Sequence, residues 1–317
     1  MKVLITGIAG FAGSHLADYL LGMGNVRVFG VDLSASNTLN IRQNLDRIKL
    51  YRADLRDSVK VYNIIAKVRP EFIFHLAGQS FPAGSWAKPM DSLLNNISGT
   101  LNILEAVKKA ELGSRIHIAC SSEEYGGSEN KKKPLKESNI FMPLSPYAVG
   151  KIAQDMLGFQ YYKAFNMFIV RTRAFNHIGP RLADNFAASS FAKQIALIEK
   201  DKQPPFIYSG NLDVLRDFTD VRDVVKGYWL SLLKGNPGEV YNICSGTGYK
   251  IRDILDILLS FSDKKIKIKV DKLRLRRSDV LTVIGDNSKF IRKTGWKPRI
   301  PIWDTLRDIL DYWRQRV

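Results

Sequence analysis

The sequence predicts an α/β chain: a doubly wound parallel sheet followed by a smaller C-terminal α/β domain. Three observations carry that prediction. Short apolar runs alternate with helix-spaced segments through the first 173 residues. The runs are nearly continuous in Val, Ile, Leu and Phe, as strands covered on both faces are. A glycine-rich turn joins the first run to the first helical segment.

Each element follows in order. "KVLITG" reads as the first strand and "FAGSHLADYLLGMG" as a helix ending at glycine. "VRVFGVD" is a second strand, and "IKLYRADL" a third followed by the helical "SVKVYNIIAKV". "EFIFHLAG", "RIHIAC" and "MFIVRTR" are further strands, and "NNISGTLNILEAVKKAEL" is helical. In "SPYAVGKIAQDMLGFQYYKAF", Ser145 suits an N-cap and Pro146 the first helical position. Strands alternating with helices give a parallel sheet covered on both faces. The boundaries are residues 1–173 for the first domain, with later segments returning to it, and 174–317 mainly for the second. After Arg173 the pattern is irregular until the final helix, "PIWDTLRDILDYWRQRV".

Composition narrows the function classes. The chain is 45% hydrophobic and 25% charged, which is globular and not disordered. No apolar run approaches the ~20 residues of a membrane span, and no signal peptide is visible, so a cytoplasmic protein is expected. Cys120 and Cys244 each end an apolar run, and they read as two buried free thiols with no disulfide or metal site. Net charge is +17, and residues 250–317 carry 18 Lys+Arg against 9 Asp+Glu. Because "DKKIKIKVDKLRLRR" alternates charge with Ile, Leu and Val, it reads first as a solvated face of a half-exposed strand. A funnel for an anionic substrate is the second reading. No nucleic-acid motif accompanies the charge, so nucleic acid is not an expected partner.

Two motifs carry chemistry. "TGIAGFAG" sets Gly7, Gly10 and Gly13 between strand and helix, where backbone can approach a pyrophosphate at the helix N-terminus. Asp32 ends the next strand, 19 residues past Gly13. Its carboxylate can accept from ribose hydroxyls and would repel a 2′-phosphate, so NAD(H) is favoured and NADP(H) is the alternative. "YAVGK" puts Tyr147 and Lys151 four residues apart on one helix face. A phenol of pKa ~10 becomes an acid or base near neutrality only with help, which a lysine ammonium supplies.

With "ADLRD", "HLAG", "NNISGTLNILEA", "SSEEYG", "SPYAVGK" and "GWKP" in this order, the whole chain resembles the extended short-chain dehydrogenases/reductases acting on nucleotide sugars. The resemblance implies a Rossmann sheet. It places Gly7, Gly10, Phe11, Gly13, Asp32, Asp54, Leu55, Leu76, Ala77, Tyr147 and Lys151 at the cofactor, with Asp54 beside the adenine. It makes Ser121 the hydroxyl that holds the sugar carbonyl and Tyr147 the catalytic tyrosine partnered by Lys151. His75 is read as structural. A homodimer through a four-helix contact including the Tyr–Lys helix is implied too.

"RTRAFNHIGPR", "FAKQIA", "GNLDVLRDFTDVRDV" and "LRRSDV" are similar to the GDP-mannose branch. By that likeness Asn176 contacts a substrate diphosphate, Lys193, Arg216 and Arg276 line the nucleotide site, and Asp279 approaches the GDP ribose. The chain departs from the family at Gly150, often Ser, and at Arg277, where the family has Pro. The implied activity is NAD(P)H-dependent reduction of the C4 ketone of GDP-4-dehydro-6-deoxy-D-mannose to GDP-D-rhamnose, with Tyr147 as general acid. Glu123 stands where a related 4,6-dehydratase keeps its base, which makes dehydration the alternative. "FNHIGPRLA" replaces the dehydratase's "FNHESPRRG" and favours reduction. A nucleotide-sugar 4-epimerase, with the same triad, is a second alternative.

Overall fold

The computed structural model describes residues 1–33, 37–79, 81–127, 133–271 and 280–317. Seven parallel strands form its main sheet. They are β1 (Lys2–Thr6), β2 (Arg27–Asp32), β3 (Ile48–Arg52), β4 (Phe72–His75), β5 (Arg115–Ser121), β6 (Ile169–Ala174) and, from later in the chain, Val240–Ile243. The spatial order is β3-β2-β1-β4-β5-β6 followed by Val240–Ile243. The order reverses between β1 and β4. Ligands bind such sheets beyond the strand C-termini at that point. Register brings Thr6 beside His75 and His75 beside Ile118, while Ser121 aligns with Ala174.

Helices cover both faces. On one, α1 (Phe11–Gly22) packs with residues of Val221–Lys234, burying Leu16, Leu20, Val224 and Tyr228. On the other, α2 (Ser58–Val68) and the helix Pro89–Lys109 bury Ile65, Ile103, Leu104 and Val107 against Ile116 and Ile118. Burying a Leu or Ile contributes roughly 1.5–3 kcal/mol each, so these faces hold the layers together. Asp57 caps α2 by accepting from the Lys60 amide at 3.0 Å, and Arg69 ends it with φ 48°. After the short α3 (Pro82–Ser85), α4 spans Pro89–Lys109, so it begins ahead of the segment read as helical. Pro89 stands at its first turn, where the missing N–H costs nothing. In α5 (Pro146–Phe165), Ser145 Oγ accepts from the Ala148 amide at 3.1 Å, so the anticipated cap forms.

The remaining elements build a second layer. β7 (Asn176–Ile178) pairs with β9 (Leu215–Asp220), and β9 also pairs with β11 (Gly248–Lys250) and β13 (Thr282–Val283). Helices α6 (Ala187–Glu199), α8 (Ile251–Leu259) and α10 (Ile302–Arg314) share a core around Ile195, Leu255, Leu258, Leu306 and Ile309. β12 (Lys267–Val270) is the half-exposed strand expected within "DKKIKIKVDKLRLRR", and it pairs in parallel with β8 (Phe206–Ser209), which lies in a stretch read as irregular. Lys267, Lys269 and Val270 face outward there, while Ile268 packs against the core of α6, α8 and α10. Helix α7 (Val221–Lys234) and α9 (Ser288–Thr294) return to the first domain, as does β10 (Val240–Ile243), its seventh strand. No helix among the described residues is long and apolar enough to cross a membrane.

Candidate active site

The glycine turn is shaped by backbone contact. Gly7 has φ +70°, and a Cβ there would lie 2.9 Å from the Ala77 Cα. A Cβ on Gly13 would stand 2.1 Å from the Gly7 carbonyl oxygen. Ala77 itself donates its amide to Thr6 Oγ1 at 3.2 Å, which fixes the Leu76–Ala77 backbone beside Gly7. No side chain caps α1 at Gly10, so its first amides are left for an anion. Asp32, ending β2, accepts from the Ala9 amide at 2.8 Å and the Leu33 amide at 2.9 Å, which aims its carboxylate across the turn. This cradle, open only because it lacks side chains, fits a dinucleotide pyrophosphate with a ribose beside Asp32.

Other expected cofactor residues flank it. Asp54 forms a 2.5 Å ion pair with Arg56, whose hydrogen bonds hold the carboxyl below its usual range. The Leu55 carbonyl accepts from Asn102 Nδ2 at 2.8 Å, and Leu55 lies against Gly99. The Phe11 ring stacks on His177 at 5.7 Å and meets His15 edge-on, so it also joins α1 to β7.

The hydroxyl, phenol and ammonium converge at the C-terminal ends of β4 and β5. Ser121, Tyr147 and Lys151 are 7%, 8% and 6% exposed, enclosed but reachable. The Tyr147 phenol lies beside Ser121 in this corner. Burial pushes the phenol up, the Ser121 hydroxyl draws it down, and the Glu123 and Glu124 carboxylates raise it further. Lys151, which burial lowers, donates to the Ala119 carbonyl oxygen at 2.8 Å, and its Nζ stands 5.8 Å from the Tyr147 ring centroid. Ser121 Oγ accepts from the Glu123 amide at 3.2 Å, so Glu123 shares this corner. His75 lies beneath, its Nδ1 2.8 Å from Thr6 Oγ1 and its Nε2 2.9 Å from Thr100 Oγ1. Burial lowers it to about 3, and it is a neutral, structural histidine.

Comparison with known proteins settles the kinship. Residues 4–309 match the family described as GDP-mannose 4,6 dehydratase. The chain belongs to that family. Across the whole chain it is 33% identical to the GDP-6-deoxy-D-mannose reductase of Pseudomonas aeruginosa, covering 98% of that protein. The structure of RMD from Pseudomonas aeruginosa complexed with NADPH superposes with a TM-score of 0.86, covering 100% of this chain and 99% of that one. The UDP-glucuronic acid 4-epimerase of Bacillus cereus, in complex with UDP-glucuronic acid and NAD, is 30% identical with a TM-score of 0.88 and full coverage of both chains. This GDP-mannose 4,6-dehydratase family member is an NAD(P)-dependent enzyme of the short-chain dehydrogenase/reductase type.

In this family member the expected substrate residues lie on the second layer. Asn176 on β7 is exposed and pairs in register with Phe218; Arg216 is two residues earlier on β9, so the two share a sheet face. Arg216 is 7% exposed and donates to the Leu215 carbonyl at 3.0 Å. Lys193 forms a 2.6 Å ion pair with Asp184. Arg276, Arg277 and Asp279 lie outside the described residues.

Two residues escaped the sequence reading. Asn96 of α4 is fully buried; its Oδ1 accepts from the Gln79 amide at 3.3 Å while its Nδ2 has no partner among the described residues. Its signal was an amide in mid-helix within a quoted motif. Gly150 makes room for it, since a Cβ at Gly150 would sit 3.0 Å from Asn96 Nδ2. Glu124 is 0% exposed and accepts from the Ser121 amide at 2.8 Å. Its carboxyl gave no sequence signal, because its partners come from distant segments.

Proposed function

We propose that the protein reduces the C4 ketone of GDP-4-dehydro-6-deoxy-D-mannose to GDP-D-rhamnose. The buried Tyr147 phenol, set beside Ser121 and on one helix face with Lys151, carries this reading. Burial raises the phenol, so it holds its proton at neutral pH, and it gives that proton up only to a stronger base, the charge that hydride addition develops on the C4 oxygen. The likeness to a GDP-6-deoxy-D-mannose reductase and the "FNHIGPR" segment support the same direction.

Bound at the glycine turn, a reduced nicotinamide dinucleotide supplies the hydride. Ser121 donates to the C4 oxygen as charge develops on it, and Tyr147 transfers its proton to that oxygen, completing the alcohol. Lys151 holds the end of β5 through Ala119 and places positive charge near the phenolate that proton transfer leaves. Asn176 contacts the diphosphate and Arg216 lines the nucleotide site, where a planar guanidinium suits phosphate oxygens. Asp32 favours NAD(H), although the Pseudomonas aeruginosa relative was solved with NADPH.

Dehydration of GDP-mannose is the second reading, because the Glu123 carboxylate acts on the Tyr147 phenol from the same corner. Purified protein given GDP-mannose with NAD(P)⁺, and separately the 4-keto-6-deoxy sugar with NADH or NADPH, tests both. Turnover only in the second assay supports the reductase. Conversion in the first overturns it in favour of the dehydratase.

The protein is proposed to act as a homodimer. Val149, Met156 and Phe159 are 45%, 39% and 39% exposed along α5, with Leu94 and Met90 exposed on the adjoining α4. Apolar side chains at these spacings form one face that a second copy would cover.

A further inference from the structure

Glu124 is enclosed by groups from four parts of the chain. Its Oε1 accepts from the Ser121 backbone amide at 2.8 Å. Its Oε2 lies 3.2 Å from Arg173 Nε on β6, and that nitrogen also reaches Asp155 Oδ2 on α5 at 2.8 Å. Arg171 binds the other Asp155 oxygen. Arg173 further donates to the Tyr125 hydroxyl and the Glu137 carbonyl, each at 3.0 Å. Guanidinium groups thus stand where a cation would be needed, so the cluster of Cys120, Glu124 and Asp155 is an anchor and not a metal centre.

This anchor acts on a catalytic hydroxyl. Ser121 accepts the Glu123 amide with its side chain while its own amide is held by Glu124, a reciprocal cap closed over one turn. Ser121 therefore has its backbone fixed from below and one lone pair of Oγ already engaged, leaving its O–H to face the site. We propose that Glu124 is the positioning residue of this active site: its carboxyl oxygen sets the place of Ser121 Oγ, and so of the carbonyl oxygen that Ser121 holds. The inference rests on the role given to Ser121 above. Burial and the neighbouring Asp155 carboxylate raise Glu124 above the ordinary carboxyl range, against the lowering pull of Arg173 and the Ser121 amide.

Two conservative variants separate positioning from charge. Glu124→Gln keeps the acceptor at the same reach and loses the charge. Glu124→Asp keeps the charge and withdraws the acceptor by one methylene. Positioning predicts that Glu124→Gln stays within about threefold of wild-type kcat, and that Glu124→Asp loses about 10- to 100-fold in kcat with KM and dinucleotide affinity unchanged. In a Ser121→Ala background, Glu124→Asp should add nothing. Hydrogen exchange at the Ser121 amide, which needs no turnover, should stay protected in Glu124→Gln and open in Glu124→Asp. A Glu124→Asp enzyme near wild type, a Glu124→Gln enzyme worse than Glu124→Asp, or losses that add fully with Ser121→Ala would each overturn the proposal. If Glu124→Asp does not fold, Glu124→Gln decides alone: an opened Ser121 amide or lost turnover refutes the anchor. A wild-type enzyme that ignores the 4-keto sugar sinks the functional reading instead, and the exchange measurement still judges Glu124.

Discussion

Lys151 Nζ donates to the Ala119 carbonyl oxygen at 2.8 Å and stands 5.8 Å from the centre of the Tyr147 ring. The ammonium therefore braces β5, while the phenol lies beside Ser121. Under the reductase reading, proton delivery depends on the Tyr147 hydroxyl. Tyr147→Phe should lower kcat by roughly 10²–10⁴-fold while dinucleotide affinity stays near wild type. Steady-state turnover beside a fluorescence titration checks this. Normal turnover would remove Tyr147 from the chemistry.

Acid should destabilise the protein through its buried imidazoles. Burial lowers His75 and His117 from 6.5 to about 3 each. A lowered folded value means the unfolded chain binds more protons between those limits. The stability is fully present above pH 6.5 and is lost as pH falls towards 3. At pH 5 the cost is about 2 kcal/mol for each histidine. Urea denaturation from pH 7 to 4 should show this slope, and His117→Gln should flatten it by about one proton. An unchanged slope in that variant would refute the assignment.

Two glycines of α1 should behave oppositely. A Cβ at Gly13 meets the Gly7 carbonyl oxygen at 2.1 Å, whereas at Gly22 nothing lies within 4 Å. Gly13→Ala should weaken dinucleotide binding at least about tenfold, since the turn must open to admit the methyl. Gly22→Ala should leave binding alone and raise stability by about 0.5–1 kcal/mol. Calorimetric titration and thermal melts read the two effects. Equal behaviour would contradict the cradle.

The apolar face of α5 gives a test of assembly. Phe159→Glu puts a charge among Val149, Met156 and Leu94, which are all exposed in one chain. Sedimentation should show a dimer for the wild type and a dimer dissociation constant raised at least about tenfold in the variant. A wild-type monomer would remove the proposed interface.

Local rules made much of this fold readable. Ser145 and Pro146 announced α5, and the alternation of apolar and helical segments gave the parallel sheet. That Ser121, Tyr147 and Lys151 meet was legible because Ser121 ends a strand and Tyr147 and Lys151 share a helix face. What was not legible depends on distant partners. Val240–Ile243 is too short to reveal that it completes the main sheet; only its pairing with β6 shows that. Nothing in the sequence marks Glu124 as buried; Arg173 and Asp155 reach it only in the fold. The Lys151 contact with Ala119 likewise exists only once β5 lies beside α5.

The late arrival of β10 bears on how the chain is made. During synthesis, β6 is an unpaired sheet edge until Ile243 has left the ribosome. An unpaired edge is a template for pairing with other nascent chains. Asn242 then does more than close the edge. It accepts the Tyr125 hydroxyl at 2.7 Å and donates to the Leu135 carbonyl at 2.9 Å, locking the loop beside Ser121. A prematurely terminated chain ending before Val240 would lack both the seventh strand and this lock. The main sheet is therefore not a unit that can be shed or borrowed by itself: its last strand is written after the second layer has begun.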